Sequence, residues 1–249
     1  MANLRLQFSD VYKEVSRFLG WGISPSGQNL TDAKAIAHAG YRKFLYPVNV
    51  LNAKQHTWSF MVKHTTLDLI GNKWQYILPV DFERMQMVFT YSDDDQYMQL
   101  KHVPASFLLN HRSITESTGA PVIFSIQPGT YAAEHGQHWE AWFYETPSQA
   151  YTLKYAYILR PQQLVSDTDY FIGSDFASEA IMESALAVAE LRWDGTQGVH
   201  TAEADKLIQQ LIISDTVIQP SFHGVMYDPS IRPKFYERPL PTVGEPYDE

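Results

Sequence analysis

The sequence predicts an α+β fold. Helices from both ends of the chain form a four-helix bundle, an antiparallel β domain is inserted between them, and an extended arm closes the chain. Three observations lead to this reading. Helical periodicity is confined to residues 1–50 and 161–217, short aromatic-rich runs separated by turn residues fill 51–160, and proline becomes dense over 218–249.

The first helical segment can be capped by Ser9 or Asp10, gathers Val11, Val15, Phe18 and Leu19 on one face, and stops at Gly20 and Gly22. Thr31 is the expected cap of the second. Its stripe holds Ala33, Ile36, Ala37, Gly40, Tyr41, Phe44 and Leu45, and Pro47 closes it. Glycine in a helix interior costs about 1 kcal/mol relative to alanine, so Gly40 on the apolar stripe points to the close approach of another helix.

From Thr57 to Leu159 the pattern changes. TWSFMVKH, KWQYIL, MQMVFTY, YMQLKHV, VIFSIQ, HWEAWFYE and YTLKYAYIL are rich in aromatic and branched residues, which suit a pleated, half-buried surface. In the last run Tyr151, Leu153, Tyr155, Tyr157 and Leu159 alternate with Thr152, Lys154, Ala156 and Ile158. Ser92 to Gln96 and Thr146 to Gln149 read as hairpin loops. The result is an antiparallel β domain, sandwich-like or barrel-like.

Helices return after Asp175, the expected cap of FASEAIMESALAVAELRW, which ends at Asp194 and Gly195. This run is apolar around most of its circumference, more than a bundle requires. Ile181, Met182, Leu186, Val188 and Leu191 are therefore the candidate subunit-interface residues of a cyclic homo-oligomer. Thr201 caps the last helix, whose face carries Ala204, Leu207, Ile208, Leu211 and Ile212.

Six prolines between Pro220 and Pro246 exclude a continuous helix from the final segment. Its aromatics set it apart from a disordered tail. Phe222, Tyr227, Phe235 and Tyr236 are the expected anchors on a partner outside the subunit, with Arg232, Lys234 and Arg238 available to pair with acidic surface there. The competing reading is a tail with no docking role.

Chemistry finds little purchase. With no cysteine there is neither a disulfide nor a thiolate site, and a net charge of −9 argues against gripping nucleic acid, which needs clustered Lys and Arg. Free duplex is expected to bind weakly. No signal peptide opens the chain, and no stretch approaches the about 20 apolar residues of a membrane span. Phosphate loops, dinucleotide fingerprints and the serine elbow are missing. His135 and His138 could share an ion with Glu134 or His200, as a metal-dependent hydrolase would, although the spacing is not that of a zinc motif. Asp93, Asp94 and Asp95 lack the glycine-pivoted loop of a calcium site. No cofactor, metal or catalytic residue is assigned. Trp58, Trp74, Trp139 and Trp142 admit a sugar-stacking, carbohydrate-binding β module, although alternation sets Trp139 and Trp142 on opposite faces.

The order of elements, together with AHAGYRKFLYP, TWSF, WQYILPVDFERM, GAPVIFSI, WFYETPSQAYTLKYAYILRP and ESALAVAELRWDGTQGVHTAEADKLI, resembles the head-to-tail adaptor proteins of tailed bacteriophages over roughly residues 8 to 217. The resemblance implies a structural, non-enzymatic subunit of the virion, made in the host cytoplasm. Its members would form a dodecameric ring between the portal protein and the tail or nozzle proteins, through which DNA passes without specific binding; the alternative is a carbohydrate-binding or tail-fibre-associated β module of a virion.

Overall fold

The computed structural model describes residues 5–49, 53–92, 99–134, 136–173 and 175–218. Among the described residues, five helices and several sheets confirm the α+β class. α1 (Phe8–Phe18) and α2 (Gly27–Leu45) open the chain. A β region follows, interrupted by a helix that local pattern does not reveal, α3 (Ala105–Ile114). α4 (Ala177–Asp194) and α5 (Val199–Ile218) complete the helical part.

The helices start where backbone donors find acceptors, which is not always at the expected residue. α1 begins at Phe8, and Asp10 sits within its first turn, accepting the Gln7 N–H at 2.9 Å. Ser9 is buried inside the helix rather than capping it, and Phe18 is partly exposed. α2 starts four residues before Thr31, whose hydroxyl donates back to the Gly27 carbonyl at 3.3 Å. Asp175 supplies a backbone carbonyl to Ser178 at 3.2 Å, with no side-chain cap on α4. The α4 terminus is as expected, with Gly195 in the left-handed region at φ 68°.

The buried face of α2 consists of the seven residues of its predicted stripe. It lies against α4, and there Gly40 is indispensable: a Cβ at that position would stand 2.4 Å from the Ala185 Cα and 2.5 Å from its nitrogen. α4 also touches α1 and α5, which explains its wide apolar circumference. One core joins Val11, Ile36, Phe44, Ile181, Ala185 and Ile208 with Trp58, Met61 and Ile158 from the β region. Tyr41 pins the returning chain to this core by accepting the Ile172 N–H at 3.0 Å, and burial pushes its phenol up to about 12.

The β region begins with a small antiparallel pair, β1 (Val48–Asn49) and β2 (Lys54–Gln55). The TWSF run forms a 3-10 turn, Ser59–Met61, rather than the start of a strand. The remaining strands are β3 (Val62–Leu69), β4 (Gln75–Ile77), β5 (Phe82–Tyr91), β6 (Lys101–His102), β7 (Thr118–Gly119), β8 (Ile123–Ala132), β9 (Gly136–Tyr144), β10 (Thr146–Pro147) and β11 (Tyr151–Leu159). β3, β11 and β5 make a three-stranded antiparallel sheet, and β4, β9, β8 and β6 a four-stranded one. Leu69, Phe89, Leu153 and Tyr155 from the first meet Tyr76, Phe124, Ala141 and Phe143 from the second in a shared core. Two short pairs are parallel, β6 with β8 and β10 with β7, so Thr146 and Pro147 belong to a pairing and not to a hairpin tip.

Asp81, just before β5, couples these strands. Its carboxylate accepts the Tyr157 hydroxyl at 2.7 Å and Lys63 Nζ at 3.0 Å. Burial works to raise the Asp81 carboxyl, but the bonds from Tyr157 and Lys63 outweigh it and hold the group below its ordinary value. A depressed carboxyl stabilises the fold fully above the ordinary aspartate pKa of about 3.9, and this contribution disappears as the pH falls through the lower folded value. Asp81→Asn is therefore expected to melt below the parent protein at pH 7, and thermal melts down the acid side should show that gap closing below about pH 4.

Candidate interaction surfaces

Two surfaces combine exposed apolar side chains with a built polar support. The first is the turn between α4 and α5. Leu191 and Trp193, on the last turn of α4, are 48% and 64% exposed, and Val199 at the start of α5 is exposed beside them in sequence. Phe18 of α1 makes an edge contact with His200 at 5.2 Å, and His200 Nδ1 lies 2.8 Å from Glu183 Oε2. The turn is fixed by Glu190. This buried carboxylate accepts the Gly198 N–H at 3.1 Å and the Thr201 N–H at 3.4 Å, capping α5 from the neighbouring helix. Thr201 contributes a backbone donor to that cap instead of a side-chain acceptor.

Of the residues expected at a subunit interface, Ile181 and Leu186 are buried in the subunit's own core. Met182 and Val188 are half-buried against the same core. Only Leu191 is exposed, so the available surface shifts toward the end of α4, where Trp193 joins it. Trp193 was legible as an aromatic in the last turn of an alanine-rich helix, next to the terminating Asp194 and Gly195.

The second surface is a groove of about 310 Å³ between the 3-10 turn, the start of α4 and the last turns of α5. Phe44, Trp58 and Phe60 stack along one wall, with Phe44–Trp58 centroids 5.1 Å apart and Trp58–Phe60 centroids 5.5 Å apart. Trp58 Nε1 donates to the Phe44 carbonyl at 3.0 Å, which satisfies its buried polar atom. Phe176 forms part of the lining yet is 82% exposed. At the base, the buried Asp215 carboxylate accepts the Ser59 N–H at 3.1 Å and the Ser59 hydroxyl, and lies 2.8 Å from His56 Nε2. Histidine and serine both address the aspartate, which thereby clamps the 3-10 turn to α5.

The four tryptophans of the sugar-platform reading are dispersed. Trp58 is buried, Trp139 packs on the core between the large sheets, and Trp74 and Trp142 meet edge-on at 5.5 Å beneath Arg112. Among the described residues no group of three or more His, Asp or Glu is placed to hold a metal ion. His138 lies on β9, Glu134 is exposed in the preceding turn, and His135 lies outside the described residues. So do Asp93, Asp94 and Asp95 and the arm residues Phe222, Tyr227, Arg232, Lys234, Phe235, Tyr236 and Arg238. Among the described residues no helix is long and apolar enough to cross a membrane.

A family model described as SU10 adaptor protein matches residues 9–221. No curated protein matches the chain. Because the family match runs from the first turn of α1 to just past the end of α5, the chain belongs to the SU10 adaptor protein family, a family of phage head-to-tail adaptors.

Proposed function

We propose that this protein is a structural subunit of the phage connector, one copy in a ring seated between portal and tail in the virion, with DNA passing through the ring. The observation that carries this reading is the family match across 9–221, nearly the whole of the described chain. The acidic balance of −9 supports it, because a conduit gains nothing from cations that hold phosphates in place. In this reading α1, α2, α4 and α5 act as one four-helix bundle, assigned to residues 1–50 and 161–217, and no reaction is assigned. The β domain is assigned to 51–160 and the arm to 218–249.

Ring contacts fall to the exposed end of α4, where Leu191 and Trp193 present apolar area beside the rigid Glu190 cap. The arm assigned to 218–249 engages a neighbouring copy, the portal or a tail protein through Tyr227, Arg232, Lys234, Phe235, Tyr236 and Arg238. Its prolines limit the entropy lost on docking, and its aromatics provide anchors. Truncation after Met226 is expected to leave the melting temperature of the isolated subunit unchanged while abolishing its incorporation into portal-containing particles, as seen by electron microscopy. Normal incorporation of the truncated chain would overturn the role given to the arm, and failure of the full chain to join such particles would overturn the connector reading.

A further inference from the structure

The groove at the end of α5 has its occupant close at hand. We propose that it seats the chain's own C-terminal segment, with Phe222, one of the anchors expected to dock outside the subunit, as the inserted side chain instead. This inference concerns the isolated subunit and does not depend on the ring.

Position supplies the first argument. Ser214 and Asp215 line the groove and lie within the last turn or so of α5, which ends at Ile218, while Leu211 lies a turn earlier. At about 1.5 Å of rise per residue, Ile218 stands only about 6 Å beyond Ser214 along the helix axis. The four residues from Ile218 to Phe222 span at most roughly 14 Å, enough to turn back over that distance.

Sequence supplies the second. Pro220 is incompatible with continuing the helix, and Gly224 tolerates the backbone reversal needed to bring the chain back along the groove. Phe222 is the first aromatic past the helix, and it stands between these two residues.

Chemistry supplies the third. The wall is aromatic, with Phe44, Trp58 and Phe60 stacked, and Phe176 is 82% exposed at the start of α4. A ring laid between Phe60 and Phe176 would cover apolar surface on both. Nothing in the lining calls for a charged ligand, since the Asp215 carboxylate already faces Ser59 and His56. The tether decides between this subunit's segment and a neighbour's, because a covalently attached short segment presents itself at an effective concentration in the millimolar range. Seating Phe222 also gives the rest of the arm a fixed point of departure beside α5.

The absence of cysteine makes the test direct. Ser214→Cys and His223→Cys are introduced together in the full chain; Ser214 is exposed on α5 and tolerates the change. Mild oxidation should produce an intramolecular disulfide, read as a monomer of shifted mobility on a non-reducing gel and as a loss of two hydrogens by mass. Adding Phe222→Ser should slow its formation about tenfold or more if the ring holds the segment in place. An unchanged rate would overturn the proposal, because crosslinking would then reflect proximity along the chain alone. Disulfide-linked dimers as the main product would overturn it too, by showing that the groove receives a neighbour's arm, and so would absence of any crosslink.

Discussion

Gly40→Leu is expected to yield no folded protein, and Gly40→Ala to lose about 2 kcal/mol or more even though alanine is the better helix former by about 1 kcal/mol. A new Cβ at this position meets backbone atoms of α4, the Ala185 Cα at 2.4 Å and the Ser184 carbonyl carbon at 2.8 Å, so no rotamer change can relieve it. α2 and α4 would have to separate, opening the seam that Ala37, Tyr41 and Ile181 fill. Denaturant unfolding of Gly40→Ala measures the loss. An Ala185→Gly background should not rescue it, because the atoms struck belong to the main chain. A stabilised Gly40→Ala would refute the close-packed seam.

Asp215→Ala should be the most damaging polar substitution. The carboxylate is buried and serves the Ser59 amide, the Ser59 hydroxyl and His56 together, binding α5 to the segment that leads into β3. Removing one partner of such a buried cluster leaves desolvated groups without compensation, and losses of about 3 kcal/mol or more are typical. In a chain of this size that corresponds to a fall in melting temperature of roughly 6–12 °C. Asp215→Asn retains an acceptor oxygen and should lose clearly less in the same calorimetric comparison. Equal losses for the two variants would mean that the hydrogen bonds contribute little.

The sequence's legibility varies with the range of the interactions involved. The α2 stripe could be read in full because a helix repeats its buried face every few residues, and Gly40 stood out against its propensity. α3 escaped because only Leu108 and His111 of its ten residues are buried, too few to mark a face. The alternation in β11 misled in part: Tyr155, Ala156, Tyr157 and Ile158 are all buried, since this central strand is covered on both faces, with Tyr157 in the core between the sheets and Ile158 in the helical core. The parallel pairs β6–β8 and β10–β7 bring together segments that no turn connects, and periodicity contains no signal for that.

The supporting carboxylates were the hardest to find. Glu190 and Asp215 lie in helices where an acidic residue reads as solvent-facing, and only the fold shows that one caps a neighbouring helix and the other clamps the 3-10 turn. Likewise the apolarity of α4 is a sound signal of enclosure, but it does not distinguish neighbours within the subunit from neighbours outside it. Here α1, α2 and α5 pack on α4 and Ile181 and Leu186 are buried, while Leu191 and Trp193 at the end of the helix are exposed.

The seam between α2 and α4 also sets a timetable for synthesis. α2 leaves the ribosome well before its main helical partner exists, because the whole β region is translated between them. At bacterial or slower elongation rates that interval is on the order of ten seconds, far longer than a helix or hairpin needs to form. The β strands can pair and bury their own aromatics during this time, while α1 and α2, packed on each other, lack the cover of α4 until it emerges. The nascent chain is thus most vulnerable to aggregation near its beginning, and a chaperone that shields Val11, Ile36 and Phe44 until translation reaches α4 would raise the yield of folded adaptor.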